Sequence, residues 1–193
     1  YGKSSYGEGK RILVEFVSAN PTGPMHIGNA RGGALGDCLA SVLQTAGYDV
    51  EREFYVNDAG NQIEKFKTSL EVRYLQIYDN TIEMPEDAYQ GADITAHAEA
   101  FNKLHGDKYV NVPSEERKQA LCDYALPINI ANLKKDLQKY RIEYDNWFLE
   151  SSLHNSGAVK DIIEKLKASG HTYYQDDALW FKTTDFGDDK DRV

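Results

Sequence analysis

At 193 residues the chain has room for one large domain or two small ones, and 41% hydrophobic residues with 11% aromatics exclude wholesale disorder. The 31 acidic against 22 basic side chains give a net charge of −9, which excludes a broadly basic surface for nucleic acid. No apolar run reaches the roughly 20 residues of a membrane span and no signal-peptide pattern opens the chain, so no membrane partner is expected. Cys38 and Cys122 are far apart and form no metal-type pair, which fits a reduced, cytoplasmic setting. The chain opens on Tyr1 and stops at Val193 with no closing signal, and so reads as an excised piece of a longer protein.

Residues 12–17 are nearly all apolar and predict a strand buried on both faces of a parallel sheet. A Gly/Pro loop follows, then a helix from about His26. Ala30, Ala34, Leu35, Leu39, Val42, Leu43 and Ala46 recur at steps of three and four as one apolar face, and Gly47 is placed to end the helix. Val50, Arg52, Phe54 and Val56 alternate with polar neighbours as a second strand, completing a right-handed βαβ unit. Asn57 or Asp58 is expected to cap a helix that carries Ile63, Phe66, Leu70, Tyr74 and Ile77. Residues 79–93 are acidic and irregular. Helices are expected near 94–105 and after Ser114, the second broken or kinked at Pro127.

"IEYDNWFL" then reads as a strand returning to the sheet, "SGAVKDIIEKLKASG" as a helix ended by Gly170, and "TYYQDDALWFKTT" as a hairpin. Trp147, Phe148, Trp180 and Phe181 are expected in the core between sheet and insertion. His97, His105, His154 and His171 lack metal-ligand spacing and are expected at the surface or at helix ends, and no metal site is expected. The fold class is α/β, the first half of a doubly wound nucleotide-binding domain with an α-rich insertion. Its three parts are 1–78 of the nucleotide-binding half, 79–140 as the mostly helical insertion, and 141–193 as the return to the sheet plus a hairpin.

The chemistry concentrates in "PTGPMHIGNARGG", residues 21–33, where the first strand gives way to the first helix. In open α/β sheets, ligands sit at the carboxyl ends of strands beside helix N-termini, which carry about half a positive charge. His26 and Asn29 are three apart and share one face of the first turn, adding an imidazole and an amide to a site suited to phosphate oxygens. Gly28, Gly32 and Gly36 form a bare stripe that a flat ring or a neighbouring backbone can approach. The structural alternative is tight helix–sheet packing, with His26 as a simple cap. Walker A and Gly-x-Gly-x-x-Gly patterns are both absent. Glu15 is a lone carboxylate in an apolar strand: either it holds a cation or the strand is an edge facing water.

The string resembles the first signature of class I aminoacyl-tRNA synthetases, His-x-Gly-His with Asn29 at the last position. "VEFVSANPTGPMHIGNARGGALGD", "YVNDAGNQI" and "ALWFKTTDFGDDKDRV" are similar, in order, to the arginyl-tRNA synthetase version. The resemblance implies ATP as substrate with accompanying Mg²⁺, its phosphates contacted by His26 and Asn29, with Pro24 and Gly28 completing the ATP site. It places arginine recognition on Glu15, Ser18 and Asn20, and a carboxylate grips a guanidinium at two points. It implies tRNA(Arg) as partner, catalysis by positioning and electrostatics, and a cytoplasmic, monomeric parent. The second signature, a Lys-Met-Ser-Lys-Ser type loop, has no counterpart here, so the chain by itself is expected to be inactive. Two other readings stay open, another nucleotidyltransferase with the same phosphate motif and a nucleotide- or tRNA-binding module without chemistry.

Overall fold

Three short strands form a parallel sheet in the order β1-β2-β3, with β1 at Arg11–Glu15, β2 at Asp49–Val56 and β3 at Asn146–Leu149. The computed structural model describes residues 2–193 and divides into two units, the first ending at Glu150 and the second spanning Ser151–Val193. Helix α1 (Ile27–Thr45) connects β1 to β2. Helices α2 (Asn61–Gln76), α3 (Ala92–His105) and α4 (Ser114–Lys139) separate β2 from β3. The second unit carries α5 (Ser151–Asn155), which sequence periodicity did not predict, then α6 (Ala158–Ala168) and an antiparallel hairpin of β4 (Thr172–Gln175) and β5 (Ala178–Phe181). Asp176 and Asp177 turn that hairpin with positive φ, as their short side chains permit.

The first unit holds two cores. Ile63, Phe66, Leu70 and Tyr74 of α2 pack with Ile94, Ala98 and Phe101 of α3 and with Leu121, Cys122 and Ala125 of α4. Val14, Phe16, Phe54 and Val56 of the sheet pack with Ala40 of α1, with Leu133 and Leu137 of α4, and with Ile142. Helix α4 therefore serves both. It also runs through Pro127 as one helix, so the expected break does not occur despite the missing N–H and the ring clash. Packing on both sides of Pro127 holds the helix together there.

Three other expectations are corrected. β1 is not buried on both faces: it is an edge strand among the described residues, and Leu13 is 53% exposed. The apolar face counted on α1 is not the buried one. Leu35, Leu39 and Val42 are exposed, while Gly33, Gly36 and Ala40 face inward, because only small residues let the helix lie this close to Phe16 and Ile142. Helix α2 is capped by Gly60 (φ 77°), not by Asn57 or Asp58, and the Asn57 amide is turned to Asn20 instead.

The expected aromatic core also divides. Trp147 stacks on Phe54 at 4.3 Å and Phe148 on Tyr55 at 5.7 Å, all in the first unit. Trp180 and Phe181 belong to the second unit, where they stack on Tyr173 and Phe186.

Candidate active site at the carboxyl ends of the strands

Parallel pairing aligns Glu15 with Glu53, so the ends of β1 and β2 lie side by side. Strand alternation puts Val14, Phe16, Phe54 and Val56 toward α1 and α4, which leaves Glu15 and Tyr55 on the opposite face. Just past β1 the backbone turns sharply: Val17 and Ser18 both have positive φ, 68° and 42°. For the β-branched Val17 this is an uncommon conformation that stores strain of about 1–3 kcal/mol. The turn brings the Ser18 hydroxyl to Glu15, donating to Oε1 at 2.8 Å and accepting from the Tyr55 backbone N–H at 3.1 Å. Asn57 Nδ2 donates to Asn20 Oδ1 at 3.2 Å. Glu15, Ser18 and Asn20 are thus tied to the end of β2 as one rim.

That rim is acidic. Burial raises the Tyr55 phenol above its ordinary range, and the nearby carboxylates of Glu150, Glu15 and Asp58 raise it further. Carboxylates from the ends of all three strands therefore act on one phenol. A cation is the ligand such a field favours.

His26 is the N-cap of α1, extended at φ −109° and ψ 167°. Its Nδ1 accepts from the Gly28 N–H at 3.1 Å, and Asn29 Oδ1 accepts from the His26 N–H at 3.1 Å, closing a reciprocal capping box. The Asn29 N–H also donates to the His26 carbonyl at 2.9 Å. The Gly28 and Asn29 amides of this first turn are engaged locally. What the box leaves outward is different: an imidazole accepting at Nδ1 carries its proton on Nε2, and Asn29 keeps its Nδ2 hydrogens. The glycine stripe splits in the same way. A Cβ on Gly28 would press on the His26 ring, one on Gly32 would meet open space, and one on Gly36 would enter the Phe16 ring.

A cavity of about 510 Å³ lies over this junction. Ser18, Asn20, Pro24, His26 and Asn29 all line it, whereas Glu15 and Gly28 stand outside the lining. Its far wall comes from the insertion, Tyr89–Gly91 and Asp93, which sequence reasoning missed. The Tyr89 N–H donates to Ser69 Oγ at 2.8 Å and its hydroxyl donates to Gln62, so the wall is fixed to α2. His97, expected at the surface or at a helix end, is half-buried within α3 and hydrogen-bonded to Asn129. Asp188 and Asp189 are paired with Arg192 as a surface turn. Among the described residues no group of three or more His, Cys, Asp or Glu is placed to hold a metal ion.

The family model described as tRNA synthetases class I (R), catalytic domain, matches residues 1–193. The chain belongs to that family. Curated relatives agree: an arginine–tRNA ligase of Ruminiclostridium cellulolyticum is 58% identical, and one of Caldanaerobacter subterraneus 60%, each over the whole chain. The chain spans 35% and 34% of those relatives' length, about a third. A Campylobacter jejuni structure assigned as an arginyl-tRNA synthetase superposes with a TM-score of 0.84 at 34% identity, covering all of this chain and 42% of that one. The arginyl-tRNA synthetase of Thermus thermophilus shares the fold, with a TM-score of 0.60 at 21% identity over 91% of this chain and 30% of that one. The class I (R) assignment agrees with the parallel sheet. No described helix is long and apolar enough to cross a membrane.

Proposed function

We propose that this chain is the signature-bearing part of a cytoplasmic arginine–tRNA ligase. The single observation that carries the reading is that Ser18 and Asn20 of the strand-end rim line the same cavity as the His26 and Asn29 donors of the helix start, with Glu15 held just behind the lining by the Ser18 hydroxyl. The rim suits a guanidinium and the helix start suits phosphate oxygens. In the first step a carboxylate oxygen of arginine attacks the α-phosphorus of ATP. A P–O bond forms, the bond to the bridging oxygen breaks, and pyrophosphate leaves. His26 and Asn29 donate to the phosphate oxygens as charge builds, and Mg²⁺ arriving with ATP would share that load. A ribose hydroxyl at the end of tRNA(Arg) then attacks the carbonyl carbon, and AMP leaves.

The test is Glu15→Gln in the full-length protein. Loss of a charged hydrogen bond worth about 1.5–3 kcal/mol raises the KM for arginine about ten- to a hundredfold while the KM for ATP stays near its starting value. Equal changes in both constants overturn the assignment of Glu15 to arginine.

A further inference from the structure

Asn129 sits midway along α4, between the residues α4 gives to its two cores, and is only 6% exposed. An amide is uncommon in such a place unless its polar atoms are satisfied. Here Nδ2 donates to the Pro21 carbonyl at 2.9 Å, and Oδ1 lies 2.8 Å from His97 Nε2. The orientation is forced, because a carbonyl only accepts. The amide nitrogen must face Pro21, Oδ1 must face His97, and the imidazole must carry a proton on Nε2. One side chain thus grips two elements remote in sequence. Pro21 opens the loop whose Thr22–Pro24 stretch forms one wall of the cavity. His97 lies one turn beyond Asp93, which stands on the opposite wall.

We propose that Asn129 is a positioning residue that sets the gap between the two cavity walls, and with it the placement of the His26–Asn29 helix start against its substrate. This rests on the adenylate-forming reading above. Only four residues separate Pro21 from His26, and Pro21 itself is fully buried, so a shift of its carbonyl passes directly into the start of α1. Glu15 and Ser18 are held independently, through the Tyr55 N–H. Removing the grip of Asn129 therefore moves the phosphate donors and leaves Glu15 and Ser18 in place.

The experiment is pyrophosphate exchange by the full-length protein with arginine, ATP and tRNA, together with thermal unfolding of each variant. In Asn129→Leu, kcat falls about a hundredfold, the penalty of a misplacement near 1 Å. The KM for arginine stays within about threefold, since ground-state binding on the Glu15 rim is untouched. Phe101→Leu, in the α2–α3–α4 core away from Pro21, lowers the unfolding midpoint but keeps kcat. His97→Leu reproduces part of the Asn129→Leu loss, and His97→Gln, which retains an N–H donor, recovers it. The proposal is overturned if Asn129→Leu keeps kcat near wild type, if Phe101→Leu loses as much at a comparable unfolding midpoint, or if His97→Gln behaves as His97→Leu does. A wild-type protein inactive in exchange overturns the adenylate-forming reading, and the role of Asn129 with it. An active wild type with an unaffected Asn129→Leu overturns the role alone.

Discussion

Gly36→Ala inverts the usual rule for helices. In an exposed helix interior, replacing glycine by alanine gains about 1 kcal/mol, because alanine loses less backbone freedom on folding. At Gly36 the added Cβ would lie 2.5 Å from Phe16 Cδ2 and nearer still to the ring's Cγ and Cβ. The ring cannot easily retreat. It stacks on Tyr144 with centroids 4.6 Å apart, and the Tyr144 hydroxyl donates to the Phe16 carbonyl at 3.0 Å. Overpacking of this kind costs about 1–3 kcal/mol, and three close atoms put this case at the upper end. Subtracting the helix gain leaves a net loss of about 2 kcal/mol, or a fall of about 4–8 °C in the unfolding midpoint for a protein of this size. Gly32→Ala, one turn earlier and facing open space, gains about 0.5–1 kcal/mol and raises the midpoint. Scanning fluorimetry of both variants beside wild type reads the two signs directly. A Gly36→Ala protein as stable as wild type would show that Phe16 is not pressed against α1, and the account of how the helix start is placed would fail.

Arg117→Met strips Glu71 of a partner at 2.9 Å with both side chains 10% exposed, and frees the carbonyls of Tyr109, Val110 and Val112 that Arg117 Nη1 serves. Urea unfolding should show a loss of about 3–5 kcal/mol, with Glu71→Gln on top of it recovering part. Burial pushes the Cys122 thiol up to about 11, so at pH 8 only about one part in a thousand is thiolate, the form that reacts. Native Cys122 should resist a thiol reagent at pH 8 and react on unfolding; fast native labelling contradicts its burial. Ser18→Ala leaves the Tyr55 N–H unpaired and Glu15 unanchored, and should raise the KM for arginine about tenfold, measured by exchange kinetics at saturating ATP.

The sequence disclosed those elements whose signal is local. Alternation in β2, the three- and four-step pattern of α2 and the Gly47 stop were all readable, because each depends only on neighbours along the chain. The inward face of α1 was not, because hydropathy rewards Leu35 and Leu39, whereas close approach to Phe16 rewards glycine. Along the site, Ser18, Asn20, Pro24, His26 and Asn29 do come to one cavity. Its far wall was illegible because Tyr89 sits in an irregular acidic stretch and Asp93 at the start of α3, and both arrive by tertiary packing alone. Asn129 was hidden for a similar reason: a polar residue in a long helix reads as solvent-facing until both of its partners are known.

The continuity of α4 bears on how the insertion can move. Inserted modules commonly swing on a pair of hinges, one at each crossing back to the parent fold. Here one crossing is a single helix of 26 residues, about 39 Å measured along its axis, with its two ends in different cores. The other crossing is the short link of residues 57–60 between β2 and α2, where Gly60 takes a positive φ of 77°. Because α4 belongs to both cores, a displacement of the α2–α3–α4 core is carried by that helix into the core beneath the sheet.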